Sequence, residues 1–193
     1  LPNHGELVAY ISWTMFWHQG VEDGELVRLV TAAMLHDLGA CDPLERQKIA
    51  EVELVMPLTH SVAGYLLLRD RVPDPKMAHV ILYHHSPWAE GTNAIADLPF
   101  PREAATVRLA DRLAILCHQD GDDFPERVAR WQAMSQRESK FDPDQLALLT
   151  LLCNETDLLH KLRSGEYLDE LNTLLEAVPI SEKEAQGYLE ALA

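Results

Sequence analysis

Apolar residues recur along this chain at the three- and four-residue spacing of helices buried along one face. From His4 to Gln19 the stripe is Leu7, Val8, Ile11 and Met15, and Gly20 is placed to stop the helix. From Glu25 to Leu38 nearly every position is apolar, including Leu26, Val27, Leu29, Val30, Ala32, Ala33, Met34 and Leu35, and Gly39 follows as a C-terminal breaker. A helix apolar on most sides belongs in the centre of a core. The same spacing predicts helices over about 44–56, 59–71 and 75–85. The texture then changes, and 86–102, which runs from Ser86-Pro87-Trp88 to Pro99-Phe100-Pro101-Arg102, reads as a long loop. Loops of that length in compact domains are often functional. Helix resumes over about Glu103–His118, is broken at Gly121-Asp122-Asp123, and returns over 124–135, 143–160, 165–177 and 181–192. Asp142-Pro143 and Ser181 read as helix starts, with Glu184 completing a capping box behind Ser181. The pattern holds no convincing strand or repeat, so the expected class is all-α.

The informative exceptions are polar residues on the apolar faces. His36 is in phase with Leu29, Ala32 and Ala33, and Asp37 with Val30, Ala33 and Met34. Asp111 lies among Val107, Ala110, Ala114 and Ile115. His4 shares the face of Leu7, Val8 and Ile11, and His60 that of Ala63, Gly64 and Leu67. His84 and His85 close a helix whose inward positions include Ala78, Ile81 and Leu82. A buried carboxylate is costly unless it is paired or coordinates a metal. Mixed imidazole and carboxylate donors suit iron, manganese or zinc. Adjacent residues on one helix do not point the same way, but they can serve two neighbouring metals with a carboxylate between them. A single inward histidine is more often a hydrogen-bonded core residue, and a salt bridge to Arg108 or Arg112 would equally account for Asp111. From periodicity alone, a metal centre and a hydrogen-bonded core are equally good readings. His18, His79, His118 and His160 read as structural or surface residues.

Charge narrows the partners. The net charge of −15 repels a phosphate backbone and argues against a nucleic-acid polymer. A small anion remains compatible if a metal supplies local positive charge. No apolar run reaches the ~20 residues of a membrane span. Cys41, Cys117 and Cys153 share no metal-type spacing and read as reduced thiols of a cytoplasmic protein. The opening Leu1-Pro2-Asn3-His4, without Met, suggests a trimmed start or a piece of a longer protein.

The order of the motifs goes further. His4, then Ala-Ala-Met-Leu-His36-Asp37-Leu-Gly, His60-Ser-Val-Ala-Gly64, Ile-Leu-Tyr-His84-His85 and Val-Arg-Leu-Ala-Asp111 resembles the HD superfamily of metal-dependent phosphohydrolases. The paired histidines, and the Phe141-Asp142-Pro143-Asp144 segment, resemble the HD-GYP branch, whose members hydrolyse cyclic di-GMP. The resemblance runs over about 1–160, with 161–193 as a helical appendage. It implies an HD-domain helical bundle with the metal site in its centre. The implied metal ligands are His4, His36, Asp37, His60, His84, His85 and Asp111, with Asp37 bridging and with His36 and Asp37 as the catalytic pair acting through metal. It implies two divalent metals, three in some members, iron or manganese first and zinc or nickel as alternatives. Lys48, Arg102 and Arg108 are candidate phosphate contacts. The implied substrate is cyclic di-GMP or another small nucleotide, and the implied partners are a second copy of the chain or an upstream signalling domain. The departures are specific. Ala40 stands where the family usually has lysine, Ala114 where it often has a second aspartate, and Ser86-Pro87-Trp88-Ala89-Glu90-Gly91 replaces the segment leading to the Gly-Tyr-Pro loop. A further glutamate used by some members would precede Leu1. These departures leave a second reading open, a regulatory domain of the same fold that binds ligand or protein without turnover.

Overall fold

The computed structural model describes residues 2–40, 58–72, 74–91, 98–177 and 181–192. The expected helix over 44–56, Lys48 and Cys41 lie outside the described residues. The elements are α1 (His4–His18), α2 (Asp23–Met34), α3 (Leu58–Leu68), α4 (Pro75–Tyr83), α5 (Trp88–Gly91), α6 (Glu103–Cys117), α7 (Phe124–Ser135), α8 (Pro143–Glu155), α9 (Leu158–Ser164), α10 (Tyr167–Ala177) and α11 (Glu182–Leu192). The fold is all-α, and no helix among the described residues is long and apolar enough to cross a membrane.

Helix α1 is the spine. Leu7, Val8, Ala9, Tyr10, Ile11, Ser12, Met15 and Phe16 are all buried, so α1 is covered on nearly every side. It packs on α2 and α6, and α10 closes a further face. Leu26, Leu29 and Val30 of α2, with Val107, Leu109, Leu113 and Ala114 of α6, fill the same core. Helices α3 and α4 pair beside this core, around Leu68, Ala78 and Ile81. The consequence for the site is positional. His4 opens the spine, and the helices that cover it deliver the other candidate ligands.

Two boundaries differ from the pattern. The expected helix to Leu38 stops at Met34, because the Ala33 carbonyl receives the His36 backbone N–H (3.4 Å) and faces the His36 Nδ1 (2.8 Å) instead of continuing the helical ladder. Residues 35–39 form tight turns, with Leu38 N–H donating to Leu35 O at 2.9 Å and Ala40 N–H to Asp37 O at 2.8 Å. The expected helix over 143–160 is two helices. Thr156 takes an extended conformation, donates its hydroxyl to Leu152 O (2.7 Å) and accepts from Leu158 N–H (3.2 Å), so one side chain ends α8 and starts α9. The long loop over 86–102 contains the short helix α5, and its residues 92–97 lie outside the described set.

Leu162, Tyr167 and Leu171 of the C-terminal segment bury in the same core as α1. A polar clasp reinforces that packing: Tyr10 Oη donates to Glu170 Oε2 at 2.6 Å, and Lys161 Nζ meets the other oxygen at 2.7 Å. Burial and the Glu170 carboxylate push the Tyr10 phenol well above its ordinary range. Tyr10→Phe is expected to cost about 1 kcal/mol, the net worth of one such bond. A thermal scan should show a fall of roughly 2–4 °C for a chain of this size. Helix α11 starts with the capping box read from the sequence, Ser181 N–H to Glu184 Oε2 (2.8 Å) and Glu184 N–H to Ser181 Oγ (3.2 Å). It packs on α3, where Gly187 lies against the Arg71 carbonyl with no room for a Cβ.

Candidate metal centre

Two helix ends build half of the site by one device. The last carbonyls of a helix lack intrahelical partners. After α2 the His36 Nδ1 lies 2.8 Å from Ala33 O, and after α4 the His84 Nδ1 lies 2.6 Å from Ile81 O. In each case the imidazole sits three residues beyond the carbonyl it caps. A carbonyl only accepts, so Nδ1 carries a proton, and in the neutral ring it is Nε2 that offers a lone pair. The neighbours Asp37 and His85 ride on the same turns.

The other candidate ligands come from helix faces brought close by glycines. Asp111 is buried in the middle of α6, and His4 begins α1 after Asn3 turns the chain through a left-handed conformation (φ 55°). A Cβ on Gly5 would stand 2.7 Å from Met34 O, so glycine lets α1 approach the end of α2. A Cβ on Gly39 would overlap the His60 carbonyl and the Gly64 N–H, so glycine also lets the His36-Asp37 turn sit directly on α3.

These elements converge on two adjoining sets. The donor atoms of Asp37, His60, His84 and His85 lie within 4.8 Å of one another, and so do those of His4, His36 and Asp111. Asp37 stands between the sets. Its Oδ1 is 3.4 Å from His60 Nε2 and 3.8 Å from His84 Nε2, and its Oδ2 is 3.4 Å from His36 Nε2. In the second set Asp111 Oδ1 is 3.1 Å from His4 Nε2 and 3.9 Å from His36 Nε2. His36, His60, His84, His85 and Asp111 are buried, whereas Asp37 is 29% exposed and opens the cluster to solvent.

The electrostatics are those of a site that concentrates opposite charge. Burial disfavours charge on Asp37, but His36 and His84 beside it hold its carboxyl well below the usual range. Burial likewise disfavours charge on Asp111, and His4, Arg112 and His36 overcome it in the same direction. Burial works against a charged His36, yet Asp37 and Asp111 raise it to about 9. Burial and the neighbouring His84 lower His60 to about 4 and push His85 well below its ordinary value. The cluster thus keeps both carboxylates ionised and the His60 and His85 imidazoles neutral, as a cation requires, while the charge the carboxylates draw onto His36 is one that a bound cation would replace. His36 Nε2, His84 Nε2, both nitrogens of His85, Asp37 Oδ1 and Asp111 Oδ2 are buried without a hydrogen-bond partner among the described residues. A stable core leaves few polar atoms in that condition. Their concentration here, with Nε2 selected as the free atom on His36 and His84, fits divalent metal and does not fit a hydrogen-bonded core.

Residues 3–116 match the HD domain family. The chain belongs to that family. HD domains bind divalent metals, and the two sets are the residues of this HD domain that could hold them. The chain is also 30% identical over 115 residues to 3'3'-cGAMP-specific phosphodiesterase 1 of Vibrio cholerae serotype O1 (strain ATCC 39315 / El Tor Inaba N16961). That alignment covers 59% of this chain and 27% of the relative, so the chain spans about a quarter of the relative's length. No solved structure matches the chain.

The candidate phosphate contacts of the HD domain fall elsewhere. Arg102 pairs with Asp142 (2.7 Å) and Asp144 (2.8 Å) at the start of α8 and lies over the Trp88 ring. Arg108 donates to the His85 carbonyl and lies over the Phe141 ring, so it braces the backbone of a candidate ligand. Lys48 lies outside the described residues. Ala40 is fully buried. His118, set aside on periodicity, sits with its ring centroid 5.6 Å from that of His4, beside the second set. The salt-bridge alternative for Asp111 is the weaker contact: Arg112 Nε is 3.7 Å from Oδ2, beyond hydrogen-bond range, and His4 is nearer. Cys117 and Cys153 are free thiols, each pushed up to about 12 by burial.

Proposed function

We propose that this HD domain is a metal-dependent phosphodiesterase acting on a cyclic dinucleotide. The observation that carries the reading is the pair of adjoining donor sets, with Asp37, a partly exposed member of the first, reaching His36 of the second at 3.4 Å. On this reading His60, His84 and His85 would hold one ion and His4, His36 and Asp111 the other, with Asp37 placed between the two sets. Iron and manganese suit the mixture of five imidazoles and two carboxylates in these sets. When bound, two such ions make water a nucleophile near neutral pH and offset charge on the attacking and leaving oxygens of an in-line displacement. The chain's own contribution is positional. Ala33 O and Ile81 O fix the His36 and His84 rings, Arg108 fixes the His85 backbone, and the buried walls exclude competing water. Residues 1–160 form the metal-binding domain, braced by 161–193.

The relative's name supports a cyclic dinucleotide as the substrate class, with 3'3'-cGAMP and cyclic di-GMP as the two to compare. The second reading, a domain of this fold that binds without turnover, is favoured by one observation: Ala40 puts a buried methyl where HD-GYP proteins usually carry lysine. Protein loaded with manganese or ferrous iron is expected to convert one or both dinucleotides to linear product, followed by chromatography, with Asp37→Ala inactive. Bound metal with neither substrate consumed would sink the phosphodiesterase reading and leave the second.

A further inference from the structure

Three arginines lie on or beside α6, and they differ in what their guanidinium groups do. Arg102 is engaged by Asp142 and Asp144, and Arg108 by the His85 carbonyl and the Phe141 face. Arg112 is different. Its nearest carboxylate oxygen, Asp111 Oδ2, is 3.7 Å from Nε, and it makes no hydrogen bond among the described residues. Its side chain is 23% exposed while Asp111 beneath it is 1% exposed. Its charge reaches both sides of the site, holding Asp111 down on one and pressing on His85 on the other.

We propose that Arg112 is the residue that grips the substrate's phosphate. The inference rests on the phosphodiesterase reading and adds the anion-binding group that reading lacks. A guanidinium presents five N–H donors in a planar fork that matches phosphate oxygens two at a time. A guanidinium already hydrogen-bonded to carboxylates or carbonyls has fewer donors to offer and a fixed orientation. Arg112 has a full fork, held at the edge of the metal cluster by charge attraction to Asp111. In a chain of net charge −15, an anion needs such local attraction to approach at all. With alanine at position 40, the described cations beside the cluster are Arg108, which faces the back of His85, and Arg112.

The test uses Arg112→Gln and Arg112→Lys in the full chain, with manganese content read by plasma mass spectrometry and inorganic phosphate binding to the manganese-loaded protein read by calorimetry. Arg112→Gln is expected to keep the parent's manganese and to bind phosphate about tenfold more weakly or worse, with a matching rise in substrate KM. Arg112→Lys should fall between, since it keeps the charge and loses the fork. Unchanged phosphate affinity in Arg112→Gln overturns the proposal. So does loss of manganese along with phosphate, which would make Arg112 a support for Asp111. A parent protein that takes up no manganese overturns the metal reading itself, and this proposal with it.

Discussion

Replacing Asp37 with asparagine is expected to lower cyclic-dinucleotide turnover by on the order of a thousandfold and to remove most of the bound manganese. The expectation follows from where the two carboxylate oxygens lie. Oδ1 is shared by His60 and His84, and Oδ2 faces His36. An asparagine keeps the shape but removes the negative charge between two cation positions. It also turns one of the two acceptors into an N–H donor aimed at imidazole nitrogens whose lone pairs should point at metal. Both sets lose, because Asp37 is the residue they share. Replacing Asp111 would by contrast damage the set with His4 and His36 and spare the other. The comparison is made by metal content and turnover on the same preparations, with a helical circular dichroism spectrum confirming that each variant is folded. Parent-like metal content in Asp37→Asn would show that Asp37 does not bridge.

The sequence carried the helical plan and the candidates that the fold gathers into one cluster, and it carried them for different reasons. Helix periodicity is a local signal, so α1, α4, α6 and α7 begin and end close to where their apolar stripes do. The failures are places where a side chain takes over a backbone bond. The stripe runs apolar through Met34 and Leu35, so nothing in its period announces that the His36 imidazole caps Ala33 and ends α2. Thr156 splits α8 from α9 in the same way, with a hydroxyl that periodicity treats as one more polar residue. A spacing rule would have found both histidine turns: a histidine three residues beyond an alanine or isoleucine at a helix end.

The candidate ligands were legible because polar residues on apolar faces are conspicuous, and their order resembled a known pattern. The position of Asp37 between the two sets was not readable from periodicity, because it depends on how the turn after α2 meets α3 and α4. The candidate cations were the least legible. Arg102, Arg108 and Arg112 are alike in sequence, and only their partners separate the two engaged guanidiniums from the one that makes no hydrogen bond among the described residues.

Gly39→Ala is expected to destabilise the protein by about 2 kcal/mol, a fall in melting temperature of roughly 5 °C, and to weaken metal binding at the set that contains His60. The added Cβ would overlap the His60 carbonyl and the Gly64 N–H, which are backbone atoms of α3 and have no rotamer by which to yield. The turn must lift from the helix, and the 3.4 Å approach of Asp37 to His60 opens with it. Gly64→Ala is the matched comparison. Its Cβ would meet Ile81 Cγ2 at 2.9 Å, the end of a side chain that can give. Gly64 also lies inside α3, where alanine is favoured over glycine by about 1 kcal/mol, so the two effects nearly cancel. Thermal scans and manganese titrations on the two variants should therefore separate them widely. Equal melting temperatures would mean that the turn carrying His36 and Asp37 is not seated on α3 as the glycine contact requires.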